Sequence, residues 1–134
     1  GSRAMTDPGL ELQGAIVAAL KASAVAGGRI YDQVPQSTDF PYVSIGEMQV
    51  IDDDAEYVGG VEVYATLHVW SRAAGKPEAA NLAAAVRGAI HEQDLRLPFW
   101  RLVEIRHQST RLMTDPDGIT THGVMTFRAL ADPA

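Results

Sequence analysis

The clearest pattern in the chain is an alternation between apolar and polar residues from position 61 to position 70. The apolar row consists of Val61, Val63, Ala65, Leu67 and Val69. Successive side chains of a strand point to opposite sides of a sheet, so this pattern predicts a strand with one face in the core. The other face carries Tyr64 and Trp70, which either pack locally under a loop or belong to an interface.

Two other segments repeat apolar residues at the helical period. The first helix is predicted to begin at Pro8, behind the N-cap residue Asp7, and to stop at the glycine pair 27–28. The second helix is predicted to begin at Pro77 and carries a narrow, Ala-rich apolar stripe. Small side chains allow a helix to lie close to the surface that it covers, which suits packing on a sheet.

Three further strands are predicted at about residues 42–51, 101–113 and 119–130. The segment before residue 42 contains Pro35 and Pro41 and is not expected to form a central strand. The resulting order is α-β-β-α-β-β. It predicts an α+β fold in which an antiparallel sheet of about four strands carries both helices on one face. The opposite face is then left for solvent or for a partner.

Length and composition fit one ordinary globular domain. The chain has 134 residues, of which 46% are hydrophobic and 21% are charged. Residues 1–4 precede Met5 and are interpreted as an expression remnant. We therefore expect a single domain over residues 5–134.

Charge and cysteine content exclude several classes of function. The net charge of −6 disfavours nonspecific binding to nucleic acid or to anionic lipid, which requires clustered Lys and Arg. The absence of cysteine excludes disulfides, thiolate metal sites and a thiol nucleophile. No apolar run approaches the roughly 20 residues of a membrane span. Three arginines of one predicted strand, Arg101, Arg106 and Arg111, are expected to divide between its two faces and to form no basic stripe.

Histidines offer one route to an enzyme. His68, His107 and His122 all fall on predicted strands and could meet as a three-histidine metal site, although no HxH, HxxxH or HExxH spacing supports it. Exposed or hydrogen-bonded strand histidines are the favoured interpretation. His91, late in the second helix, is a favourable residue near a helix C-terminus. We therefore predict no catalytic residue, no bound metal and no cofactor.

An acidic cluster follows the first long strand. Asp52, Asp53, Asp54 and Glu56 place four carboxylates in five positions, and Gly59 and Gly60 close the segment. The cluster lacks the ligand spacing of an EF-hand loop. An exposed loop, or a charged patch that meets a partner, is the favoured interpretation.

Three blocks of sequence together resemble a known family. They are residues 28–35 with 40–46; residues 67–72; and residues 106–111 with 115–118 and 127–130. The blocks are similar to the tail-terminator, or tail-completion, proteins of long-tailed bacteriophages, and in particular to the version carried by alphaproteobacterial gene transfer agents. The likeness extends over nearly the whole chain from the first helix onward. It consists of structural segments and not of catalytic motifs.

The resemblance implies a structural protein of an assembled phage-like tail, made in the bacterial cytoplasm. Its subunits would close into a ring, with six as the expected number, on the head-proximal end of the tail tube. The ring would end tube polymerisation and join the tail to the head. Its partners would be other copies of itself, the tail-tube protein and a head-completion or connector protein. DNA would pass through the ring without sequence-specific binding.

Two alternatives stay open at this point. The chain could be a small cytoplasmic binding module that uses the open face of its sheet. Less favoured is a metalloenzyme built on the three strand histidines. On the tail-protein interpretation, the acidic residues at 52–56 are expected to line the ring channel or an axial docking surface.

Overall fold

The structure, a computed structural model, describes residues 6–53 and 59–134. Helix α1 spans Pro8–Ala22 and helix α2 spans Pro77–Ile90. The strands are β1 (Ile30–Tyr31), β2 (Tyr42–Asp52), β3 (Val61–Ser71), β4 (Trp100–Thr114) and β5 (Thr121–Pro133). The sequence-based order of two helices and four long strands is confirmed. No helix in the described ranges has both the length and the apolar character of a membrane span.

The sheet has five strands and is mixed, in the order β1-β2-β3-β5-β4. The prediction of about four antiparallel strands is therefore correct for the long strands and misses β1. This short strand runs parallel to β2 and pairs Ile30 with Val43 and Tyr31 with Ser44. The guanidinium of Arg29 donates a hydrogen bond of 2.8 Å to the carbonyl of Pro41 and holds the intervening segment beside the sheet.

Both helices pack on the same face of the sheet and form one core with it. The apolar row predicted for β3 is buried throughout, and its partners on β5 include Met125, Phe127 and Ala129. Leu12, Ile16 and Leu20 of α1 are 0–1% exposed. The Ala-rich stripe of α2 is buried too, which confirms its predicted packing.

The first helix ends earlier than predicted. Helix α1 stops at Ala22 with Ser23 as C-cap, and a short 3₁₀ segment, Val25–Gly28, follows. Ala24, Ala26 and Gly27 lie in the left-handed region of φ, where the α-helix cannot continue. This turn buries Val25 in the core and directs the chain into β1.

Candidate functional site

Opposite the helices, the sheet has an open face that carries charged residues of both signs, such as Glu62 and Arg128. On β3, and on β5 from His122 to Arg128, its residues are partly exposed, in contrast to the fully buried opposite row. At one end of this open face lies a group of rings, which we call the open-face cluster. Its members are Tyr42, Ser44, His68, Trp70 and His122.

Cross-strand register explains how these side chains meet. Tyr42 pairs with Trp70, Ser44 pairs with His68, and Trp70 pairs with His122. Directly opposed residues of an antiparallel pair lie on the same face, with their Cβ atoms about 4.5–5.5 Å apart. The cluster is therefore a consequence of the alternating pattern of β2, β3 and β5.

Stacking and hydrogen bonds order the cluster. The Trp70 ring stacks on His122 with centroids 3.8 Å apart and an interplanar angle of 8°, and Tyr42 stacks on its other side at 6.0 Å. The indole N–H of Trp70 donates to Ser44 Oγ at 2.9 Å. Of the two aromatic residues predicted on this face, only Trp70 belongs to the cluster. Tyr64 lies earlier in β3, opposite Gln49 and Arg128.

Two of the three strand histidines contact each other directly. His68 Nδ1 and His122 Nε2 are 2.7 Å apart, so that one nitrogen donates and the other accepts. Asp115 Oδ1 lies 3.8 Å from the second nitrogen of His122. Burial lowers the pKa of both histidines. The pKa of His68 is lowered further by the neighbouring His122 and is partly restored by the charge of Glu47. The charge of Asp115 partly restores the pKa of His122.

The third histidine does not join them. His107 lies on the helix-facing side of β4, with an edge-on contact to Phe127 and a hydrogen bond of 2.6 Å to Thr110 Oγ1. A three-histidine site of His68, His107 and His122 is therefore wrong. Among residues 6–53 and 59–134, no group of three potential metal ligands lies close enough to hold an ion. His91, predicted only to suit a helix end, accepts a hydrogen bond of 2.9 Å from the backbone N–H of His107.

The prediction for the three arginines of β4 is also wrong. Two β-bulges interrupt β4, one between Leu102 and Glu104 and one between His107 and Ser109. Each bulge adds one residue and reverses the parity of the strand positions beyond it. Arg101, Arg106 and Arg111 consequently all oppose open-face positions of β5. Arg101 pairs with Asp132 and Arg106 pairs with Glu104, so that much of this row is neutralised.

The acidic cluster is only partly within the described structure. Asp52 is exposed and ends β2, and the backbone N–H of Asp53 donates a hydrogen bond of 2.8 Å to the carbonyl of Gly60. Asp54 and Glu56 lie outside the described residues. The predicted exposure of the segment therefore holds for Asp52, and the role predicted for the four carboxylates stays a prediction.

Comparisons with known proteins agree on one family. Residues 14–132 match the sequence model of the family described as tail completion protein gp17. Among solved structures, a chain of the "Virion of native gene transfer agent (GTA) particle" is similar over 92% of this chain and 95% of its own length, with 29% identity and a TM-score of 0.81.

A second solved structure, bacteriophage SPP1 gp17 protein, has the same fold. It is 21% identical, with a TM-score of 0.60 over 90% of this chain and 88% of its own. No curated protein sequence matches the chain. The resemblance drawn from the three sequence blocks is confirmed.

Proposed function

The chain belongs to the tail completion protein gp17 family, and we propose that it is the subunit of a ring that closes the head-proximal end of a phage-like tail. The ring, with six subunits as the expected number, ends polymerisation of the tail tube and joins the tail to the head. The family match over residues 14–132 is the observation that carries this proposal. Similarity to a chain of a gene transfer agent virion supports a place in an assembled particle. Synthesis in the bacterial cytoplasm is part of the same proposal.

Membership of this structural family means that the chain is not an enzyme, as the sequence predicted. The geometry of the open face agrees with this conclusion. Its two neighbouring histidines are engaged with each other and with Trp70, and the third histidine lies on the opposite side of the sheet. The binding-module alternative gains no specific support, and residues 5–134 act in this proposal as one unit.

Ring closure requires two different patches on each subunit that fit one another. The fold supplies suitable surfaces, because a five-stranded sheet with one helix-covered face has two edges and one open face. Its partners in the particle are copies of itself, the tail-tube protein and a head-completion or connector protein. The helix-free sheet face is also proposed to take part in docking to one of them.

DNA passes through the ring without sequence-specific binding in this proposal. The net charge of −6 favours passage, because like charges keep phosphates from adhering to the wall. Asp52, Asp53, Asp54 and Glu56 are proposed to face the channel or an axial docking surface. Their density of carboxylates is the reason for this assignment.

Light scattering coupled to size-exclusion chromatography tests the proposal. The protein is measured alone over a range of concentrations and after mixing with assembled tail tubes. We expect an oligomer of about six subunits, formed either in free solution or at tube ends, where electron microscopy would show a ring. A protein that stays monomeric alone and fails to associate with tubes would refute the proposal.

A further inference from the structure

We infer that neighbouring subunits join by pairing the outer edge of β2 in one copy with the outer edge of β4 in the next. This inference rests on the proposed ring. The pairing is antiparallel and centres on Gln49 opposite Arg111. It would unite the sheets of successive subunits into one continuous sheet around the ring. The occupant of each edge is therefore a second copy of this chain.

The outer edge of β2 is covered at one end only. Strand β1 reaches residues 43 and 44, and the backbone N–H of Val43 bonds the carbonyl of Arg29. Among the described residues, no strand pairs with the outer edge of β2 over residues 46–52. An uncovered edge presents unpaired N–H and C=O groups to a further strand.

The outer edge of β4 is likewise covered in part. The carbonyl of Ile105 accepts a hydrogen bond from the N–H of Glu92, and the N–H of His107 donates to the His91 ring. The segment after α2 therefore closes this edge near residues 105–107. In the described part of the chain, no backbone group outside the sheet bonds the edge over residues 108–114. Each edge thus leaves about seven residues open.

Strand direction makes the two edges compatible. β2, β3, β5 and β4 are antiparallel in succession, so β4 runs opposite to β2. When a copy is placed beside the first in the same orientation, its β2 lies antiparallel to the first copy's β4. The helices of both copies then cover the same face of the joined sheet. One heterologous contact of this kind repeats and closes into a ring.

Apolar side chains on the helix-facing side fit the same register. Val50 is 38% exposed at the edge of β2, next to the partly buried Met48. With Gln49 opposite Arg111, Val50 faces Thr110 and Met48 faces Leu112. A groove between α2 and β4 lies beside these positions and is lined by Ala80, Ala83, Ala84, Arg87, His107, Thr110 and Leu112. Its small alanine side chains leave room for the incoming Val50 and Met48.

Charge complements this fit on the open face. Glu47 is exposed on β2 and Arg111 is exposed on β4, and within the described residues neither forms an ion pair. The pairing places them diagonally across the new contact, within reach of long side chains. An unpaired carboxylate on one edge and an unpaired guanidinium on the other favour this association over pairing of like edges.

The stagger between the two open segments suits a closed ring. Across the sheet, the row of cross-strand partners that contains Gln49 passes through Tyr64 of β3, whereas the row that contains Arg111 passes through His68 of β3. Pairing Gln49 with Arg111 therefore displaces successive copies by four residues of β3, roughly 13 Å, over the four strands from β2 to β4, which span roughly 19 Å. The resulting tilt of roughly 35° lies within the approximately 35–45° found in closed barrels.

Cysteine cross-linking tests the pairing in a chain that has no cysteine of its own. The double variant Gln49→Cys/Arg111→Cys is oxidised at high protein concentration, and we expect covalent ladders up to the ring. A mixture of the two single variants should give dimers only, because each chain then has half of the contact. Gln49→Cys/Leu112→Cys is the matched control, since these two positions face opposite sides of the sheet. It should give at least tenfold less product.

The outcomes separate this inference from the proposed function. A ring seen by light scattering or microscopy, without a disulfide ladder from the Gln49→Cys/Arg111→Cys variant, overturns the edge pairing and leaves the ring intact. Absence of both overturns both. Dimers formed by a single-cysteine variant alone would show pairing of like edges and would overturn the heterologous contact.

Charge reversal provides a second readout that needs no cysteine chemistry. Glu47→Arg or Arg111→Glu alone should weaken association by roughly two- to fivefold, as expected for one exposed ion pair. The combined Glu47→Arg/Arg111→Glu variant should regain most of the loss. Equal and additive losses would contradict the predicted contact between these two side chains.

Discussion

Residue Gly123 shows how closely β5 approaches its neighbours. A Cβ atom at this position would lie 2.5 Å from Val69 Cγ2 and 2.8 Å from Leu112 Cδ2. Val69 is fully buried and β-branched, so it cannot rotate away from the added atom. The absence of a side chain at this position is therefore a packing requirement of the sheet.

We expect Gly123→Ala to lower the free energy of unfolding by about 1–3 kcal/mol through overpacking. Gly88→Ala is the matched control, because Gly88 is an exposed residue within α2 whose added Cβ would meet nothing within 4 Å. That change should raise stability by up to about 1 kcal/mol through helix propensity. Urea unfolding followed by circular dichroism measures both, and a neutral Gly123→Ala variant would contradict the packing argument.

The two histidines of the open-face cluster make stability depend on pH. Each has its folded pKa below the ordinary value of 6.5, chiefly because burial disfavours the charged ring. The unfolded chain then binds more protons than the folded chain once the pH falls below about 6.5. Their contribution to stability is fully present above that pH and declines as the pH decreases towards the folded pKa values.

The urea concentration at the midpoint of unfolding should therefore decrease as the pH is lowered from 7.5 to 5.5. The double variant His68→Asn/His122→Asn should show a smaller decrease over the same range. His107, whose pKa is also lowered by burial, remains in both proteins and leaves a residual slope. Identical pH profiles for the two proteins would rule out this role for the pair.

Sequence periodicity predicted the placement of single residues wherever a strand was regular. It put the five alternating apolar residues of β3 in the core and Trp70 on the other face, as observed. It failed for Arg106, because a bulge depends on how two strands fit and leaves no period of its own in the sequence. The contact between His68 and His122 was likewise not predictable from the sequence, since it depends on the register of β3 against β5.

At the scale of elements, Glu11 ties the first helix to the start of β4. Its side chain is buried, and its Oε1 accepts hydrogen bonds from the backbone N–H groups of Phe99 and Trp100, at 2.8 and 3.2 Å. Trp100 also donates from its ring to the carbonyl of Thr6 at 2.8 Å. The N-terminal end of α1 and the segment entering β4 therefore depend on one another.

Glu11→Ala should lower the free energy of unfolding by about 2 kcal/mol, because it leaves two backbone donors without their acceptor. Glu11→Gln keeps an acceptor oxygen on a side chain of the same length and should lower the free energy of unfolding by less. Hydrogen exchange of the Phe99 and Trp100 amides gives a local readout, and protection should fall in the alanine variant only. Equal protection of these amides from exchange in all three proteins would contradict a stabilising role for the Glu11 hydrogen bonds.

The long elements were predictable because their own sequences encode them. The period of β3, the N-cap Asp7 and the proline at each helix start are local signals, and Asp7 accepts the expected hydrogen bond from the N–H of Leu10 at 2.8 Å. Strand β1 has two residues and exists only through its pairing with β2, so no local pattern predicts it. The early end of α1 depends in the same way on the burial of Val25.

At the scale of the whole molecule, the proposed function depends on how copies and partners fit and not on a reactive centre. Family membership was accessible from the sequence, because three blocks of structural segments carried it. The contacts that we propose between subunits were not, since they depend on which parts of the sheet edges stay uncovered. The bulged outer strand β4 and the partly covered strand β2 define those parts.

The acidic segment provides a prediction at this scale. If Asp52, Asp53, Asp54 and Glu56 line the channel as proposed, replacing them with Asn or Gln should leave the fold intact and slow DNA transfer through the assembled tail, because the wall would lose its repulsion of phosphate. Circular dichroism checks the fold, and DNA delivery by reconstituted particles checks transfer. Unchanged assembly together with unchanged DNA passage would remove this role from the segment.

We propose above that this protein ends a tail tube through self-assembly. The most direct test is electron microscopy of tail tubes polymerised with and without the protein. With the protein present, we expect tubes that stop growing and carry one ring of subunits at one end. Tubes that continue to elongate in a saturating amount of the protein, with bare ends, would contradict it.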